Sequence, residues 1–108
     1  MIIIVGKFTF PSRELAQQAF EKSSEGSALA QQGKGVVWYS HALCNVDPTV
    51  LWALHVWETP EDVERHVSSD YYPALNAAAT DGAISVEIKQ WVGMEAYLRR
   101  YKDYGASS

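Results

Sequence analysis

The chain has 108 residues, 47% of them hydrophobic and 12% aromatic, with four Trp and six Tyr, which is room for one domain and no second. Nine Lys and Arg against 13 Asp and Glu give a net charge of −4, the wrong sign for a nucleic-acid surface. One cysteine, Cys44, excludes an internal disulfide and a zinc ribbon.

Met1-Ile2-Ile3-Ile4-Val5 is a short apolar run that Gly6-Lys7 interrupts. It has no basic leader before it and no cleavage site after it, and no stretch reaches the ~20 apolar residues of a membrane span. The expected location is the cytosol. Ile2 to Phe10 reads as a first strand with two apolar faces: Ile2, Ile4, Phe8 and Phe10 on one, Ile3, Val5 and Thr9 on the other. Both faces therefore need cover. Pro11 stops the strand and Ser12 caps a helix carrying Leu15, Ala16, Ala19 and Phe20 at helical spacing. The pattern weakens around Ser23-Ser24-Glu25-Gly26, Ala28-Leu29-Ala30 can continue it, and Gly33-Lys34-Gly35 ends it.

Val36–Cys44 and Val50–Trp57 form a hairpin across Asn45-Val46-Asp47-Pro48-Thr49. Thr59-Pro60-Glu61-Asp62 combines a cap, proline at the first helical position and acids in the first turn. Val63, His66 and Val67 make the stripe of that helix. Ser68-Ser69-Asp70 breaks it before a second piece, Tyr71–Ala79. Asp81-Gly82 turns the chain into a fourth strand, Ala83–Val92, where Ile84, Val86 and Ile88 alternate with polar residues. Met94, Tyr97, Leu98, Tyr101 and Tyr104 then predict a terminal helix.

The order predicts an α+β, ferredoxin-like βαββαβ domain with an antiparallel sheet over residues 1–108, core 1–93 and helical extension 94–108. Both main helices belong on one sheet face. The apolar second face then calls for a second copy of the chain, and hence a homodimer.

His41, His55, His66 and Cys44 are the soft metal ligands, but no two share one helix at i,i+4 and no carboxylate completes a set. His41 faces His55 only in one hairpin register, because a shift of one residue separates them. No metal is expected. No Gly-rich phosphate loop or dinucleotide fingerprint is present, so no nucleotide cofactor is expected either. Cys44 has no activating neighbour and reads as packing. The aromatic residues remain. Trp57 alternates with His55, Ala53 and Leu51 on one face of the third strand, beside Trp38 or Tyr39 according to register. His66, Tyr71 and Tyr72 come from the helical segment above. A flat apolar cavity edged by imidazole, indole and phenol groups suits a polycyclic aromatic ligand, and an aromatic core with no ligand is the competing reading.

Leu54-His55-Val56-Trp57-Glu58, Val63-Glu64-Arg65-His66-Val67 and Ser69-Asp70-Tyr71-Tyr72 together resemble the antibiotic-biosynthesis-monooxygenase family. Gly35 followed by Tyr39 matches that family's second strand, and the similarity runs from about Ile2 to Val92. The resemblance implies a dimeric α/β barrel and a cofactor-independent monooxygenase acting on a phenolic or quinol-like aromatic molecule with dioxygen. Trp57 is then the aromatic wall and His66 or His55 the proton acceptor. Tyr39 and Tyr72 orient a phenolic oxygen, with Trp38, Tyr71, Phe8 and Asn76 as further substrate contacts. The chain departs from the family's oxygenase pocket at Ala53, where an Asn is usual, and at Val63, where a Tyr is usual. Haem-degrading relatives place Asn, Trp and His at positions that correspond to Gly6, His66 and Asn76. The alternatives are a ligand-binding or structural homodimer, or a haem protein with His66 or His55 as axial ligand.

Overall fold

A computed structural model describes residues 1–92, so the expected terminal helix lies outside the described residues. The elements are β1 (Ile2–Thr9), α1 (Arg13–Gln31), β2 (Val36–Leu43), β3 (Val50–Trp57), α2 (Pro60–Val67), α3 (Tyr72–Thr80) and β4 (Ser85–Val92). They form one antiparallel sheet of order β2-β3-β1-β4. Helices cover one face: Ile2, Ile4 and Phe8 on β1 are buried, while Ile3, Val5, Lys7 and Thr9 on the other face are half-buried.

α1 runs unbroken through the segment where the apolar pattern weakens. Its buried stripe is Ala16, Ala19, Ser23, Ser27 and Ala30, small residues at helical spacing that let the axis lie close to its neighbours. The Ser23 hydroxyl donates to the Phe20 carbonyl at 3.2 Å, which satisfies it inside the fold. Gly26 is where α3 crosses. A methyl group there would stand 2.7 Å from Leu75 Cδ1 and 2.8 Å from its Cβ.

α2 starts as the sequence predicts. The Thr59 hydroxyl accepts the Asp62 N–H at 3.2 Å, and the Asp62 carboxylate accepts the Thr59 N–H at 3.1 Å. Arg65 donates to the same carboxylate at 2.7 Å. That bond and those from Thr59 hold the Asp62 carboxyl below its ordinary value. Gly35, at φ +78°, faces Asp62 with no space for a side chain.

Two features were not expected. Pairing between β2 and β3 shifts at Val37, so Val36 faces Trp57 while Trp38 faces Val56, a β-bulge that moves every later β2 side chain to the opposite face. Second, the apolar row of β4 lies on the helix side but stays exposed, Val86 at 48% and Ile88 at 62%, because no described helix reaches over that edge. Among the described residues no helix is long and apolar enough to cross a membrane.

Candidate functional site

The space between the sheet and helices α2 and α3 holds a cavity of about 210 Å³. Its floor is recessed because Gly6 and Ala53 face each other across the β1–β3 ladder. Neither residue carries a polar side chain, so the hollow has an apolar floor. Phe8 and Ile4 flank it from β1, Tyr39, His41 and His55 from β2 and β3, and Val63, His66, Tyr72, Leu75 and Asn76 from the helices. Ile88 and Gln90 of β4, over which no described helix lies, stand at its side. Among the described residues no Asp, Glu, Lys or Arg lines it.

The bulge decides which β2 side chains reach this cavity. Tyr39 pairs with His55 and His41 with Ala53, so Tyr39 and His41 both point to the helix side. Trp38 points away, is 59% exposed, and donates its indole N–H to the Ser40 hydroxyl at 3.0 Å. Of the two alternatives left by the register, Tyr39 and not Trp38 thus lies on the cavity side. His41 lies opposite Ala53 rather than opposite His55.

The polar groups bond in a definite order. Ser23 Oγ gives its only hydrogen to the Phe20 carbonyl, so it accepts from His41 Nδ1 at 3.0 Å. His41 Nε2 is then the lone-pair nitrogen, 3.4 Å from the Tyr39 hydroxyl. The chain runs from Tyr39 O–H to His41 to Ser23 to a backbone carbonyl. A second order holds at β3. The Trp57 indole can only donate, and its N–H lies 2.9 Å from His55 Nδ1. Neutral His55 therefore carries its proton on Nε2, which bonds to no described residue.

His66, 3% exposed, has Nδ1 at 2.6 Å from the Tyr71 hydroxyl and a buried Nε2 with no partner. Neither nitrogen is open to a ligand. The proton-acceptor role expected of His66 or His55 thus falls on one ring whose nitrogens are bonded or buried and on another whose open nitrogen carries the proton. Trp57 is 1% exposed and is not part of the cavity wall. Its ring lies behind, 4.8 Å from that of His66, and with Tyr71 it borders a second hollow near Lys34 and Arg65. Of the expected contacts, Trp57 and Tyr71 therefore stand outside the cavity lining. Tyr39, Tyr72, Phe8 and Asn76 do line the cavity.

Burial sets the protonation states. Loss of water pushes His41 down to about 4 and His66 to about 4. Desolvation, with His66 and His41 nearby, takes His55 down to about 3. The same desolvation, with Tyr71 and Tyr72 adding to it, pushes the Tyr39 phenol well above its ordinary value. At neutral pH the cavity is lined by neutral imidazoles and a protonated phenol.

His41 is the residue whose part here was missed, having been weighed only as a metal ligand. The i,i+2 spacing of Tyr39 and His41 was the available signal, since strand neighbours two apart share a face. Cys44 accepts the Asp47 N–H at 3.4 Å and does not line the cavity. Among the described residues no three His, Cys, Asp or Glu side chains group closely enough to hold a metal ion.

Comparison with known proteins places this architecture. The sequence profile described as antibiotic biosynthesis monooxygenase matches residues 1–78. No curated protein matches the sequence significantly. Among solved structures, a candidate antibiotic biosynthesis monooxygenase from Deinococcus radiodurans is 16% identical, with a TM-score of 0.74 over 86% of this chain and 92% of that one. A conserved protein from Methanosarcina mazei Go1 is 18% identical, with a TM-score of 0.75 over 83% and 89%. A second such candidate, from Caulobacter crescentus CB15, is 19% identical, with a TM-score of 0.71 over 85% and 88%. At these identities the structures share a fold, and the profile match carries the membership. The chain belongs to the antibiotic biosynthesis monooxygenase family.

Proposed function

We propose that the chain is a cofactor-independent monooxygenase of small phenolic aromatics. The observation that carries this reading is the apolar cavity in which a buried phenol, Tyr39, leads to a neutral lone-pair imidazole, His41. In the reaction, a ring C–H of the phenol is replaced by C=O, giving a quinone, and dioxygen supplies that oxygen and the oxygen of one water. The substrate gives up four electrons and dioxygen takes four, so no external reductant is needed.

The protein's part is to orient the ring, exclude water and take the phenolic proton. Tyr39 accepts the substrate O–H while it donates to His41. Full transfer from a phenol of pKa ~10 to an imidazole near 4 is about six units, or roughly 8 kcal/mol, uphill. The proton therefore leaves as the electron leaves, since the oxidised phenol is a far stronger acid. The working chain is a homodimer joined through the open sheet face, where three of the four Trp lie: Trp38, Trp52 and Trp91.

The test is oxygen uptake with 1-naphthol or a dihydroxynaphthalene, without reductant or metal. Tyr39→Phe and His41→Ala should each slow turnover about a hundredfold with the circular dichroism unchanged. No uptake across a panel of such phenols would reject the reading.

A further inference from the structure

His55 presents to the cavity a nitrogen whose proton is fixed by its surroundings and which bonds to no described residue. We infer that Trp57 is a positioning residue that locks His55 as an N–H donor, so the cavity takes an uncharged one- or two-ring aromatic presenting a carbonyl or hydroxyl oxygen to His55 Nε2. This deepens the proposed function and rests on it only for the identity of the cavity as the substrate site.

Three observations carry the inference. The indole N–H, which has no acceptor capacity, occupies His55 Nδ1 at 2.9 Å. Trp57 is held in place by burial at 1% exposure and by edge contacts with His55 and Tyr39, so the lock does not depend on a mobile side chain. His55 lines the cavity and its Nε2 bonds to no described residue. A donor left without a partner on ligand binding is penalised, so the ligand atom placed there must accept.

The rest of the lining narrows the class. Among the described residues no charged side chain lines the cavity, so a carboxylate would lose its hydration and find no counter-ion among them. The volume of about 210 Å³ falls below the ~300–1,000 Å³ common for small-molecule sites, which favours one or two fused rings over three or four. Substrate hydroxyl and product carbonyl both satisfy the same donor, so the lock serves both ends of the reaction.

The test has two arms on the intact chain. Long-range proton–nitrogen correlation on ¹⁵N-histidine-labelled protein should give His55 as the Nε2-protonated tautomer, and Trp57→Phe should convert it to a mixture. An Nδ1-protonated His55 in the wild type overturns the inference. By calorimetry, 1-naphthol and 1,4-naphthoquinone should bind about tenfold more tightly than naphthalene, one good hydrogen bond's worth, and 1-naphthoate should bind more weakly than either. Equal affinity for naphthalene, or tight binding of the carboxylate, overturns it. His55→Leu should erase the advantage of the oxygenated ligands. Trp57→Phe should reduce it at least threefold, and an undiminished advantage in that variant rejects the positioning role. Should Trp57→Phe fail to fold, the wild-type tautomer and His55→Leu still decide. Oxygen uptake is not a readout here, so acceptor-selective binding without turnover would reject the oxygenase and leave this inference standing.

Discussion

Replacing Gly26 by Ala sets two known effects against each other. In the middle of an exposed helix the change stabilises by about 1 kcal/mol, because glycine is the poorer helix former. Here the new methyl group would meet Leu75 Cδ1 at 2.7 Å and Leu75 Cβ at 2.8 Å, against the ~3.5–4.0 Å of ordinary carbon contact. The Cδ1 contact could be relieved by a rotamer change. The Cβ contact needs α3 itself to move by roughly 1 Å. Leu75 is 4% exposed and packs with Ile2, Ile4 and Trp57, so that movement disturbs a filled cluster. Overpacking of this kind costs about 1–3 kcal/mol, and the net effect should be a loss of about 1 kcal/mol, or a melting temperature lower by ~4–8 °C. Thermal and urea melts measure it. A double-mutant cycle with Leu75→Ala should show a smaller effect of the Gly26 change in that background. A rise of several degrees in the single variant would refute the close α1–α3 contact.

Stability should fall on acidification from pH 6.5 to 4. His41, His55 and His66 titrate at about 4, 3 and 4 in the folded chain against 6.5 when unfolded, so the unfolded state binds more protons throughout that window. The stabilisation is complete above pH 6.5 and is lost as the pH drops toward the folded values. Several kcal/mol out of a total near 5–15 is at stake, and a melting temperature flat from pH 7 to 4.5 would show that the rings are not buried neutral. Asp62, held below its ordinary value, adds its loss at lower pH. Thr59→Ala should remove about 1 kcal/mol by opening the α2 capping box, while Thr59→Ser retains most of it, as chemical denaturation will report. Light scattering should find a dimer at micromolar concentration, and Leu54→Glu on the open face should convert it to a monomer. A monomeric wild type, or a dimer unaffected by Leu54→Glu, would reject pairing through that face.

What the sequence made legible was whatever rests on local chemistry. The Thr59–Asp62 start, the glycine stop after α1 and the shared face of Leu51, Ala53, His55 and Trp57 depend on residues close along the chain, and each expectation matches. The middle of α1 was harder to read because its buried stripe is alanine and serine, which carry little hydrophobic contrast. The site was less legible than the fold for a related reason. Whether Trp38 or Tyr39 faces the cavity is settled by one extra residue in β2, and nothing in Val36-Val37-Trp38-Tyr39 announces a bulge. The roles of Trp57 and His66 turned on depth, which periodicity does not report. Alternation placed Trp57 on the right face, but only packing put it behind His55 rather than in the cavity wall.

The bulge at Val37 has a consequence for how this site can change over time. Removing that single residue would leave Val36 opposite Trp57, Trp38 opposite Val56 and Tyr39 opposite His55, so Tyr39 and His41 would stay on the helix side and only the bulge would be lost. Only regular pairing with Val37 retained would exchange the phenol–imidazole pair for an indole–hydroxyl pair, because each later side chain would then change face. The bulge thus acts as a buffer, since a relative one residue shorter at this point can keep the same two side chains facing the cavity.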